Sequence, residues 1–283
     1  MIPIRDYNPA TRRPYVTVLL IASCILIFLW QMSLDPRSGQ VMVHQFGFVP
    51  ALLFDEATFG ADGGLVPAWV TLFSSMFLHG GFMHLAGNML YLWIFGNNIE
   101  DVMGHVRYLV FYLVCGLAAA MAQALPDMGS TVPMIGASGA ISGVLGAYLL
   151  LFPKAQVQVV IPIGFFMTRT IPAGWLLGIW IAFQVFGGVA SDASGGGVAW
   201  WAHVGGFVAG MALVHLFRQK DPASTLEPYV PQSREPAKPT GRSRIPDSRP
   251  EPRPTSLKPL QKPEPPPLPR RPDRPTVQRR RDP

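Results

Sequence analysis

The stretch Gly136-Ala137-Ser138-Gly139-Ala140-Ile141-Ser142-Gly143-Val144-Leu145-Gly146-Ala147-Tyr148-Leu149-Leu150-Leu151-Phe152 contains no charged residue and no proline. Its length meets the lower limit of about 17 residues for a helix that crosses a bilayer. Gly136, Gly139, Gly143 and Gly146 recur at +3, +7 and +10, which places them on one helix face, and small residues on such a face let membrane helices approach closely. A serine therefore opens an apolar helix whose glycine face is built for a neighbour.

Five further segments, 15–32, 82–98, 108–125, 172–190 and 198–217, have comparable length and apolarity. The expected fold is an all-α polytopic membrane protein, a bundle of six transmembrane helices. Of the 283 residues, 49% are hydrophobic and 14% charged, against roughly 25% charged in soluble domains. The first segment follows Arg5, Arg12 and Arg13 as a signal-peptide core does, but its apolar run is longer and no small-x-small cleavage site follows, so it reads as a span.

Three regions are expected: a cytoplasmic N-terminus over 1–14, the six-helix membrane domain over 15–220, and a Pro/Arg-rich tail over 221–283. The tail holds 18 of the 29 prolines, and its fourteen basic against eight acidic residues account for the whole net charge of +6. The basic character thus belongs to a tail and not to a nucleic-acid-binding face, and no nucleic-acid partner is expected. Such a tail cannot bury a core; disorder with polyproline character is expected, with Pro263 to Pro269 a docking stretch for a cytosolic partner. Cys24 and Cys115 lie in apolar runs and read as packing residues.

Charge orients the bundle. With the N-terminus cytoplasmic, Arg5, Arg12, Arg13, Arg107, Lys154, Arg169, Arg218 and Lys220 fall inside and only Arg37 outside, as the positive-inside rule requires. An even number of spans also puts the tail inside. The outer loop 33–81 is expected to form short amphipathic helices at the interface, and 157–166 to be a second interfacial segment. The absence of a long organelle-targeting extension favours a bacterial plasma membrane.

Spans two, four and six run in the same direction, and each carries its polar side chains in its first two turns: His84 and Asn88, then Ser138, then His203. These groups should meet at one depth on the outward side. Polar groups inside a membrane are costly and mark functional sites. None of the six segments as drawn contains Asp or Glu, so a base must be a histidine. Ser138 with His203 forms a nucleophile and general base, and Gly206 and Gly210 prepare span six to meet Gly139 and its neighbours on span four. His84 and Asn88, four residues apart on one face, are donors suited to a developing oxyanion, aided by the backbone around Ser138 and the positive end of its helix.

Other chemistries fit poorly. His79-x4-His84 lacks the spacing and glutamate of a zinc protease, so no metal is expected. Ser138-Gly139-Ala140 does not continue as a soluble hydrolase's nucleophile elbow. A transporter would not explain a nucleophile, a base and donors on one level, and no cofactor is implied. His44, His105 and His215 read as solvated or structural.

The runs His79-Gly80-Gly81-Phe82-Met83-His84-Leu85-Ala86-Gly87-Asn88, Gly136-Ala137-Ser138-Gly139, and Ala202-His203-Val204-Gly205-Gly206 with Gly210 resemble, in this order, the rhomboid family of intramembrane serine proteases over roughly 46–217. The resemblance implies Ser138 as nucleophile and His203 as base of a dyad without an acid, with His84 and Asn88 as oxyanion-hole donors. It makes His79 a supporting residue at the top of span two and Gly136 the residue that shapes the loop before the serine. Trp200 or Trp201 is expected to brace the His203 ring. The implied substrate is the membrane-spanning segment of another protein, unwound near its outward end, with span five as a lateral gate and 127–135 as a moving loop. The alternative is a catalytically silent relative that binds or sorts membrane clients.

Overall fold

The computed structural model describes residues 1–54, 66–163, 165–191 and 197–219; the proline-rich tail and its docking stretch lie outside them. Strand β1 (Ile2–Asp6) is followed by α1 (Tyr15–Ser33), α2 (Pro36–Phe46), α3 (Pro50–Phe54) and α4 (Ala68–Ser74). Then come α5 (Phe82–Met103), α6 (His105–Ala124), α7 (Ser138–Leu151), strands β2 (Gln156–Ile163) and β3 (Phe165–Pro172), α8 (Ala173–Ala190) and α9 (Trp200–Phe217). Six helices, α1 and α5 to α9, match the six expected segments, and the protein is a polytopic helical membrane protein. Helices α1, α6, α8 and α9 are each long and apolar enough to cross a bilayer.

Helix α7 is the short one. Its 14 residues rise about 21 Å at 1.5 Å each, less than the ~30 Å hydrocarbon core. It is enclosed by α5, α6, α8 and α9, and every residue from Gly139 to Tyr148 is buried. A helix walled by protein need not reach both interfaces.

Glycines set the distance between α7 and α9. A Cβ added at Gly206 would fall on the Gly139 carbonyl oxygen, and one at Gly210 on that of Gly143. A Cβ at Gly139 would lie 2.6 Å from the Ala119 methyl on α6. Backbone thus packs on backbone, as the glycine spacing predicted.

The end of the bundle away from Ser138 is tied by two buried acids. Helix α5 runs past the expected end at 98 and takes in Glu100 and Asp101, so the expectation of spans free of carboxylates is corrected. The Glu100 carboxylate accepts from Val16 N at 2.8 Å, Thr17 N at 2.8 Å and the Thr17 hydroxyl at 2.7 Å. It therefore satisfies the orphan amides that open α1, where negative charge also meets the positive end of the helix. His105 Nδ1 lies 2.6 Å from Glu100 Oε1. Asp101 accepts from Thr11 N at 2.9 Å and Arg12 N at 2.8 Å. These acids escaped the sequence reading because hydropathy falls at Asn97-Asn98 while the helical hydrogen bonding continues.

A small sheet stands where 157–166 was expected to lie along the interface. Strand β2 pairs antiparallel with both β1 and β3. The reason is local: in Gln156-Val157-Gln158-Val159, polar and β-branched residues alternate, and Val157 and Val159 are fully buried, the period-two pattern of a half-buried strand. The short helices expected over 33–81 do form, as α2 to α4. Asp35 caps α2 by accepting from Arg37 N at 3.1 Å and Ser38 N at 3.2 Å, with Pro36 at the first helical position.

Asp6 joins sheet to bundle, its Oδ2 accepting from the Tyr148 hydroxyl at 2.9 Å. Burial raises its carboxyl from 3.8 to about 6, outweighing the Tyr148 hydrogen bond that lowers it. The folded state thus holds a proton that the unfolded chain releases, and Asp6 takes stability away as pH rises through that window. Asp6→Asn should match the wild type in thermal unfolding near pH 4, gain on it up to about pH 6, and keep a constant advantage above. Packing gives a second expectation: Gly210→Ala should cost about 1–3 kcal/mol by overpacking, read as a lower unfolding midpoint in detergent. Gly87→Ala, inside α5 where an added Cβ meets nothing within 4 Å, should instead raise it slightly, with roughly 0.5–1 kcal/mol gained from alanine's better helix propensity.

Candidate functional site

Ser138 is the first residue of α7, and the turn before it is fixed by Gly136. Gly136 has φ +125°, a region L-residues rarely occupy. Its N–H donates to Ser75 O at 2.9 Å, and a Cβ there would lie 2.7 Å from His84 Nε2. Two residues earlier, Met134 exchanges backbone hydrogen bonds with Phe48 at 2.7 and 3.0 Å, which anchors the end of the 127–135 loop to the segment between α2 and α3.

The Ser138 hydroxyl faces His203, in the first turn of α9, with Oγ 2.8 Å from Nε2. The start of α9 is held by Gln123 on α6, whose Oε1 accepts from Ala202 N at 3.1 Å. His203 Nδ1 lies 2.7 Å from Oε1 of Gln184 on α8. A carbonyl oxygen only accepts, so Nδ1 carries the ring proton and Nε2 is left to accept from Ser138. That is the tautomer a general base needs.

The brace of the His203 ring differs from expectation. Trp180, one turn before Gln184 on α8, lies against it with ring centroids 5.8 Å apart. Trp200 instead packs on Phe183 at 5.7 Å and over Gly187, and Trp201 lies over Gly188. Both indoles turn toward α8 because glycines there leave room for them. Ser142, one turn after Ser138, donates to the Ser138 carbonyl at 2.6 Å and stays within its own helix. Gln184 had a signal in the sequence, being the sole amide or charged side chain in 172–190. Trp180 had none that set it apart from Trp175.

His84 and Asn88 come from α5 to the same place. Gly80 N–H donates to His84 Nδ1 at 3.3 Å, which leaves the proton of a neutral ring on Nε2, the atom nearest Gly136. Asn88 Nδ2 is buried without a hydrogen-bond partner among the described residues. Two N–H donors thus face the turn before Ser138. Ser138, His203, His84 and Asn88 line one cavity of about 860 Å³, together with Gln123 and Trp180.

His79 stands behind this group. Its ring meets that of His84 edge-on at 5.2 Å, and Nδ1 lies 3.3 Å from Phe77 O. Burial, with a smaller contribution from His84, holds its pKa down to about 4, so it is neutral. Ser138, His203, His84, Asn88 and Gly136 therefore come together at the site. Gly139, Gly206 and Gly210 form the helix contact beneath it, and His79 supports it without lining the cavity.

Comparison with known proteins agrees in extent and kind. The family model described as Rhomboid domain matches residues 67–220. The mitochondrial Rhomboid protein 1 of Saccharomyces cerevisiae is 31% identical over 155 residues, covering 52% of this chain and 41% of the relative. The Rhomboid protease GluP of Bacillus subtilis is 34% identical over 140 residues, covering 48% of this chain and 24% of the relative. The mitochondrial presenilin-associated rhomboid-like protein of Mus musculus is 26% identical over 174 residues, covering 61% and 41%. The chain thus spans less than half the length of these relatives. With the domain match covering more than half of its own length, from α4 through α9, the chain belongs to the rhomboid family.

Proposed function

We propose that this protein is an intramembrane serine endopeptidase that cuts membrane-spanning segments of other proteins. The observation that carries the reading is the 2.8 Å contact of Ser138 Oγ with an acceptor Nε2 on His203, beside two N–H donors on His84 and Asn88. The Bacillus relative, named a protease, supports it.

Ser138 Oγ attacks the scissile carbonyl carbon as its proton passes to His203 Nε2. The carbonyl oxygen becomes an oxyanion that receives hydrogen bonds from His84 Nε2, Asn88 Nδ2 and the backbone at the start of α7. As the C–N bond breaks, His203 returns the proton to the leaving amine, leaving an acyl ester on Ser138. Water then adds to the ester, its proton going to His203. The C–Oγ bond breaks, and Ser138 recovers its hydrogen. Every group involved is neutral at rest, which suits a site inside a membrane domain.

A helical substrate must unwind before its carbonyl is accessible, so small or helix-breaking residues near the cut should favour cleavage. The charge asymmetry supports cytoplasmic termini and a site opening outward. The membrane domain is assigned to 15–220, and the tail from 221 is left as a docking segment for a cytosolic partner.

Purified protein in detergent should cleave a transmembrane model substrate and react with a fluorophosphonate at Ser138. Ser138→Ala or His203→Ala should lower cleavage by about three orders of magnitude or more without changing the unfolding midpoint greatly. A folded wild type that neither cleaves nor labels would instead support a silent binder of membrane clients. Asn88→Ala should lower kcat by roughly 10²–10³-fold with little change in KM, whereas a change confined to KM would remove Asn88 from the oxyanion hole.

A further inference from the structure

Helix α8 offers mostly apolar side chains to its surroundings. Trp175, Ile179, Phe183, Phe186 and Val189 are exposed along it, as on a lipid-facing helix. Among its buried residues, Ala173, Leu176, Leu177, Gln184 and Gly188, the one polar side chain is Gln184, 5% exposed. An amide inside an apolar span is costly unless its hydrogen bonds are used, and this one is used on the imidazole of His203.

From these contacts we infer that Gln184 is a positioning residue that fixes His203 in the Nδ1–H tautomer and so makes Nε2 the acceptor for Ser138. Trp180 lies four residues earlier on the same face of α8 and closes the ring from its side. The base on α9 and the nucleophile on α7 are therefore oriented by a third helix. The His203 ring is held in this state while α8 stays docked against α9. A neutral acceptor does this without placing a charge beside the imidazole. The inference rests on the protease reading for its consequence, but the tautomer itself is measurable without catalysis.

The test is Gln184→Leu, which removes the acceptor at similar volume, with Gln184→Glu, which keeps an acceptor of equal reach. With ¹⁵N-histidine-labelled protein in detergent, the His203 signal is identified by its loss in His203→Ala. Wild type should show a neutral ring protonated at Nδ1. Gln184→Leu should move population to the Nε2–H form and lower kcat about tenfold, the scale of one neutral hydrogen bond, with KM unchanged. Gln184→Glu should restore the Nδ1–H form. An Nδ1–H ring retained in Gln184→Leu overturns the inference. So does a Gln184→Leu effect confined to the unfolding midpoint or to KM. A wild type that shows the tautomer but neither cleaves nor labels overturns the protease reading and leaves the positioning role standing.

Discussion

The structure depends on the backbone contact of α7 with α9. Where Gly206 meets the Gly139 carbonyl and Gly210 that of Gly143, no side chain intervenes. The two helices sit closer than larger residues would permit. Ser138 and His203 each stand in the first turn of these helices, so one packing distance decides whether Oγ and Nε2 are 2.8 Å apart or beyond the ~3.5 Å at which a hydrogen bond is lost. Glycine at 136 plays the complementary part. It turns the chain into α7 without touching His84, and so leaves both donors free toward Ser138.

Charge is kept away from this contact. The carboxylates of Glu100 and Asp101 are consumed in capping α1 and holding the chain before it. Sixteen residues of helix separate Glu100 from His84, about 24 Å. At the other end the groups that meet Ser138 and His203 are imidazoles and amides, while the one carboxylate on the cavity wall, Asp127, belongs to the loop before α7. A neutral set meets less cost on desolvation than an ion pair would. The transient oxyanion and imidazolium of acyl transfer would then be stabilised by donors and acceptors already in place.

Much of this was legible in the sequence. Segment limits read from hydropathy fell within a few residues of α6, α8 and α9. The glycine spacing marked the helix contact, and shared direction placed His84, Asn88, Ser138 and His203 together. The failures have physical causes. Hydropathy measures partition, not hydrogen bonding, so α5 continued past Asn98 into two acids whose partners lie some 85 residues earlier. The alternation in 156–159 is too short to stand out between apolar spans, and the strand needed β1 from the N-terminus to pair. The partner of His203 was sought next to it in the chain, but helices bring distant residues together. Gln184, nineteen residues away, and Trp180 supply what Trp200 and Trp201 do not.

The central claim is that one serine, one histidine and two donors form an acyl-transfer site. An experimental structure of the protein after reaction with a peptidyl phosphonate tests it most directly. The account predicts a P–Oγ bond to Ser138, with a phosphonyl oxygen about 2.7–3.1 Å from His84 Nε2 and Asn88 Nδ2 and His203 still held by Gln184. Reaction at another residue, or a phosphonyl oxygen turned away from both donors, would contradict it.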